Sequence, residues 1–118
     1  MQQKSVLIID DYEGILNTFS RLLKRFGYAT DTARTGKEAL AKTLSRLFNA
    51  ALIEIDLPEE DGTELILKLS ERNAKMIKIV LTDNHDCSIA TNKDVDAILI
   101  KPVNPVRLLS LLKEKLES

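Results

Sequence analysis

Ala50-Ala51-Leu52-Ile53-Glu54-Ile55-Asp56-Leu57-Pro58-Glu59-Glu60-Asp61-Gly62 is a short apolar run that ends in carboxylates and breaks into a proline turn. An apolar run bounded by turn signals predicts a buried strand. Open α/β sheets gather ligands at the carboxyl ends of their strands. This stretch is therefore expected to lay the floor of an acidic pocket, with Glu54 and Asp56 at its edge.

Segments on either side repeat the alternation of strand and helix. Val6 to Ile9 is a continuous aliphatic run, as expected of a strand covered on both faces, and it stops at Asp10-Asp11. From Tyr12 to Phe26 the positions Ile15, Phe19, Leu22, Leu23 and Phe26 follow helical spacing, and Gly27 stands where a helix end favours positive φ. Tyr28 to Ala33 reads as an edge strand. Thr35 and Glu38 have the spacing of a capping box, opening a helix with an apolar face of Ala39, Leu40, Leu44 and Leu47.

Beyond the opening stretch, Gly62 to Arg72 presents Leu65, Ile66 and Leu69 on one helical face. Ile77 to Leu81 predicts a fourth strand ending at Thr82. Asp83 to Lys93 is polar, with Ile89 its one large aliphatic residue, and predicts a short or irregular helix. Val95 to Ile100 predicts a fifth strand, closed by Lys101-Pro102. Asn104 is placed to cap a last helix that starts at Pro105 and carries Leu108, Leu109, Leu111, Leu112 and Leu116.

Five strands alternating with five helices imply an α/β fold, a mostly parallel sheet with helices on both faces. A chain of 118 residues suits one domain, residues 1–118, that buries a core without disulfides. The net charge of −1 offers no electrostatic case for nucleic acid or a membrane surface. Cys87 is the only cysteine and excludes a cysteine metal cluster. No apolar run is long enough for a transmembrane span, and a cytoplasmic location is expected.

The strand ends bring together Asp10, Asp11, Glu54, Asp56, Thr82 and Lys101. Carboxylates at one mouth repel each other, and Mg²⁺ is the cation that takes a few carboxylates, a carbonyl and several waters. Lys101 supplies a second positive charge, and Thr82 a hydroxyl donor to an oxyanion. Metal, lysine and hydroxyl together position a phosphoryl group, for which a carboxylate can serve as nucleophile. A separate phosphotransfer enzyme is disfavoured, because no glycine-rich phosphate loop is present.

Four motifs now stand in order: Val6-Leu7-Ile8-Ile9-Asp10-Asp11, Leu57-Pro58-Glu59-Glu60-Asp61-Gly62, Leu81-Thr82 and Lys101-Pro102. In this the chain resembles the receiver domain of two-component response regulators over essentially its whole length. The resemblance implies a flavodoxin-like doubly wound sheet of strand order 2-1-3-4-5. It also implies a signalling module, not an enzyme, partnered by a histidine kinase or another signalling protein. Carried over by position, Asp10 and Asp11 match the Mg²⁺-holding pair, Thr82 the switch hydroxyl and Lys101 the phosphate-reading lysine. Asp56 matches a position whose backbone carbonyl touches the metal. The phosphoacceptor position, four residues before Pro58, holds Glu54 where the family carries aspartate.

That departure sets the main functional expectation. Glutamate carries its carboxylate roughly 1.5 Å further out, and a placement error near 1 Å costs about a hundredfold in such chemistry. Glu54 is expected to pair with Lys101, partly imitating the phosphorylated state and displacing the need for Mg²⁺. The domain would then act as a phosphorylation-independent or constitutively biased interaction module. The alternative is a functional Mg²⁺-dependent receiver accepting phosphate on Glu54 or on Asp56, although the spacing to Pro58 argues against Asp56. Further departures are acidic Asp83 beside Thr82, Ile98 in place of an aromatic residue, and a short interval from Thr82 to Lys101.

Several residues carry plainer readings. Asp10-Asp11 could merely cap the first helix, and Lys101-Pro102 could be only a turn. His85 is expected in an exposed loop and Cys87 as a packing residue. Glu59, Glu60 and Asp61 read as a solvated acidic turn, with Gly62 serving the backbone. The leucines of the last helix exceed what one core face needs, which suggests a homodimer through that surface.

Overall fold

The structure is a computed structural model that describes residues 3–58, 60–83, 89 and 91–117. Its strands are β1 (Ser5–Ile9), β2 (Ala29–Ala33), β3 (Ala50–Glu54), β4 (Ile77–Thr82) and β5 (Ala97–Ile100). The helices are α1 (Glu13–Arg25), α2 (Gly36–Ser45), α3 (Gly62–Arg72) and α4 (Pro105–Glu117). All strand pairs are parallel and the sheet order is β2-β1-β3-β4-β5. This is the doubly wound order expected, and it puts β2 at an edge as anticipated. Most of the helix expected over Asp83–Lys93 lies outside the described residues, as do His85, Cys87 and Glu59.

Two cores sandwich the sheet. Val6, Ile8, Leu52, Ile79 and Leu81 face Leu16, Leu23, Leu108 and Leu112 of α1 and α4. Leu7, Ile9, Ile53 and Val80 face Ala39, Leu65, Ile66 and Leu69 of α2 and α3. Successive strand residues alternate between the two, as the pleat requires. Burial on both faces explains why β1 and β3 read as unbroken apolar runs.

Local chemistry sets the helix ends. Gly27 has φ of +96°, its N–H bonds to Lys24 O, and the Tyr28 N–H bonds back to Leu23 O. That pattern is a Schellman ending, closed by the buried side chains of Leu23 and Tyr28. Thr35 Oγ1 accepts from Glu38 N at 3.0 Å, and Asn104 Oδ1 accepts from Val106 N at 2.8 Å. Each satisfies amides that a helix start leaves without partners.

Four expectations are corrected. Leu44 and Leu47 are 70% and 74% exposed, because α2 ends at Ser45 and its buried side is carried by Gly36 and Ala39. Phe26 is exposed beyond the end of α1, where Leu16 takes a core position instead. β5 begins at Ala97, since Val95 is drawn into a turn by its N–H to Asn92 O and Asp96 spends its carboxylate on Lys78 N. Finally, all five leucines of α4 are buried or partly buried against the core, so they leave no exposed stripe for a partner.

Candidate functional site

Residues at the strand ends inherit their direction from the pleat. Asp10 continues the parity of Ile8, Glu54 that of Leu52 and Lys101 that of Leu99, all of which face α1 and α4. Thr82 continues the parity of Val80 and starts from the opposite face. The sheet therefore converges Asp10, Glu54 and Lys101 directly, while Thr82 reaches the group only from its far side.

Lys101 Nζ makes an ion pair with Glu54 Oε2 and another, at 3.2 Å, with Asp10 Oδ2. Asp10 is 1% exposed and Glu54 5%, so both carboxylates are taken out of water. Their remaining oxygens are held as well. Asp10 Oδ1 accepts from Tyr12 N at 2.9 Å, and Glu54 Oε1 accepts from Asp56 N at 3.1 Å. Asp56 Oδ2 in turn accepts from Thr82 Oγ1 at 3.3 Å, and Lys101 N donates to Thr82 O at 2.8 Å. The Lys101-Pro102 peptide is cis.

One ammonium thus serves two buried carboxylates. Burial pushes the Glu54 carboxyl above its ordinary range, and the nearby Asp10 charge adds to this; the Lys101 and Asp56 donors do not fully offset it. Burial alone would lower the Lys101 ammonium, but hydrogen bonds to Glu54 and Asp10 more than offset that and raise it. The two rises have different causes, burial for Glu54 and its two carboxylate partners for Lys101.

The other expected residues are less engaged. Asp11 is exposed, and its carbonyl accepts from Arg34 Nη2 at 3.4 Å. Asp83 is exposed beside the buried Thr82. Ile98 is partly buried against the α2 and α3 core. Of the shortened interval from Thr82 to Lys101, residues 83, 89 and 91–100 are described, and they include β5.

The carboxylates do not present a ready Mg²⁺ set. Asp10 and Glu54 are occupied by Lys101, Asp11 faces solvent, and among the described residues no group of three or more His, Cys, Asp or Glu side chains could hold a metal ion. Mg²⁺ needs several oxygens free to meet one ion, and the ammonium stands between the two that are buried.

Glu60 was anticipated as a solvated residue of an acidic turn, but it bridges elements. Its Oε2 accepts from Gly36 N at 2.8 Å and its Oε1 from Lys37 N at 3.1 Å, so it caps α2 from the loop that follows β3. No local spacing could reveal a partner 24 residues away. Asp61 does cap its own helix, accepting from Thr63 N at 3.0 Å. Gly62 is required by close approach, because a Cβ there would lie 2.5 Å from Ile55 O.

A buried acidic pair, a lysine and a hydroxyl stand together at the carboxyl ends of a 2-1-3-4-5 parallel sheet, where doubly wound folds bind their ligands. The family model described as the response regulator receiver domain matches residues 6–113. The chain belongs to this family, whose members are signalling modules of two-component systems. A crystallised CheY-like receiver domain protein from Methanospirillum hungatei superposes with a TM-score of 0.93 at 39% identity, covering 98% of this chain and 95% of that one. The response regulator TrrA of Thermotoga maritima, solved in complex with Mg²⁺-BeF, gives a TM-score of 0.87 at 26% identity, covering 97% of this chain and all of that one.

Curated relatives include the transcriptional regulatory protein ResD of Bacillus subtilis, 26% identical, with 94% of this chain and 47% of ResD aligned. Response regulator SaeR of Staphylococcus epidermidis is 30% identical over 88% of this chain and 46% of its own length. The chain therefore spans slightly less than half the length of these two relatives. Among the described residues no helix is long and apolar enough to cross a membrane.

Proposed function

We propose that residues 1–118 form an atypical receiver unit that signals through protein contacts without aspartyl phosphorylation. The observation behind this reading is the placement of Lys101, whose ammonium is already paired with Glu54 and Asp10. In the family resemblance this lysine answers an incoming phosphoryl oxygen. Here Glu54 brings its own carboxylate to it, one methylene further out than aspartate would. Mg²⁺ entry would require Lys101 to withdraw from both carboxylates. A histidine kinase or another signalling protein then serves as a binding partner and not as a phosphodonor.

Incubation with Mg²⁺ and a small-molecule phosphodonor, followed by intact-mass measurement, tests this. The native chain is expected to gain no phosphoryl adduct, whereas Glu54→Asp, with its carboxylate drawn back, is expected to gain one. A labile adduct on native Glu54 or Asp56 would overturn the reading.

A further inference from the structure

β2 is an edge strand, paired with β1 on one side and open on the other. In a parallel ladder the N–H and C=O of one residue point to the same side, and successive residues alternate. Ala29 N donates to Lys4 O at 2.9 Å and Ala33 O accepts from Asp10 N at 3.1 Å, so Ala29, Asp31 and Ala33 face β1. Thr30 and Thr32 therefore turn their N–H and C=O groups to the open edge. An edge of this kind is a template for another strand.

At Thr32 that template is occupied. Asp31 Oδ1 accepts from the Thr32 N–H at 2.8 Å, and Lys42 Nζ of α2 donates to the Thr32 carbonyl. The two side chains also meet each other at 2.8 Å, so one ion pair takes both outward groups of the residue. Arg46 adds a second cation, its Nη1 3.9 Å from Asp31 Oδ2, and its guanidinium lies 4.9 Å over the Phe48 ring. Burial would raise the Asp31 carboxyl, but the hydrogen bonds from Lys42 and the Thr32 amide outweigh it and hold the group below its ordinary range. Among the described residues nothing comparable covers the backbone of Thr30, whose hydroxyl meets Ser20 of α1 at 2.8 Å.

We infer that the Asp31–Lys42 pair closes the β2 edge to strand addition by a second copy of this chain. A second copy is the strand source that the geometry favours, because a twofold axis beside β2 would set Thr30 of one copy opposite Thr32 of the other. An added strand could bond β2 only through these two residues, and the ion pair withdraws one of them. It also leaves a carboxylate and an ammonium where the incoming strand would lie, and their desolvation opposes its approach.

The first test needs no variant. Thr30 and Thr32 face the same edge from the same strand, so comparing hydrogen exchange at their amides reads the cover alone. The Thr32 amide is expected to exchange about tenfold more slowly than that of Thr30 once intrinsic rates are divided out. Equal rates would overturn the inference. The second test is sedimentation velocity over a range of concentrations. The double variant Asp31→Ala, Lys42→Ala is expected to associate more strongly than the native chain as concentration rises, whereas Lys42→Arg, which keeps a cation, is expected to match the native chain. Adding Thr30→Pro to the double variant removes an outward N–H and no bond to β1, and is expected to reverse the association. A double variant that keeps its native circular dichroism and associates no more than the native chain would overturn the inference. So would added association that persists with Thr30→Pro.

Discussion

Position 54 differs from the family's aspartate by one methylene, and its consequences run through Lys101. The lysine is the only cation that the structure places on the buried carboxylates of Asp10 and Glu54 among the described residues. Replacing it by methionine would leave two buried negative charges without a counterion. Breaking a buried pair in this way costs several kcal/mol, reduced here because Lys101 is partly exposed, so Lys101→Met should lose about 3 kcal/mol in urea unfolding at neutral pH. The pH dependence has a definite sign. The folded Lys101 pKa is raised above its ordinary 10.5, so its contribution is complete below that value and lost as pH rises through the folded one. The stability gap between native and Lys101→Met should therefore hold across neutral pH and narrow above 10.5. A gap that stayed constant into strong alkali would contradict the pairing.

Between elements, the loop after β3 is fastened at several points. Asp56 reaches Thr82 at the end of β4, Glu60 caps α2, and Asp61 caps α3. Glu60 carries the link between the site loop and the α2 side of the molecule. Its carboxylate satisfies two amides that a helix start cannot satisfy itself, and loss of such a cap costs about 1 kcal/mol. Glu60→Ala should show that loss in chemical unfolding, together with faster hydrogen exchange at the Gly36 and Lys37 amides. Unchanged exchange at both amides would mean that Glu60 does not hold them. A surface cleft of about 290 Å³ lies beside this cap, between α2 and α3, and it contains none of Asp10, Glu54, Thr82 and Lys101.

Across the whole molecule, the legible features were those written into short stretches. Strand runs, the Gly27 ending, and the Thr35 and Asn104 caps depend on residues a few positions apart, and all are present. So is the convergence of Asp10, Glu54 and Lys101, because each stands at or just past the carboxyl end of a parallel strand. What periodicity could not give was where a helix stops. Leu44 and Leu47 continue an apolar spacing on α2 but fall on its open side and past its end. Nor could spacing show Glu60 on α2 or Asp56 on Thr82, since both depend on the path of a turn. The distinction between exposed and buried leucines is measurable. Leu44→Gln should change stability by no more than about 0.5 kcal/mol. Leu52→Ala, in the middle of β3 and fully buried, should cost about 3 kcal/mol. A comparable loss at Leu44 would return it to the core.

In this receiver Lys101 already fills the space between the carboxylates of Asp10 and Glu54. Whether that closes the site to phosphate is tested by titrating the native chain with Mg²⁺ and beryllofluoride, followed by amide and side-chain resonances of Glu54, Thr82 and Lys101. No saturable shift is expected at these residues in the native chain, and clear shifts are expected in Glu54→Asp. Saturable shifts at Thr82 and Lys101 of the native chain would contradict it.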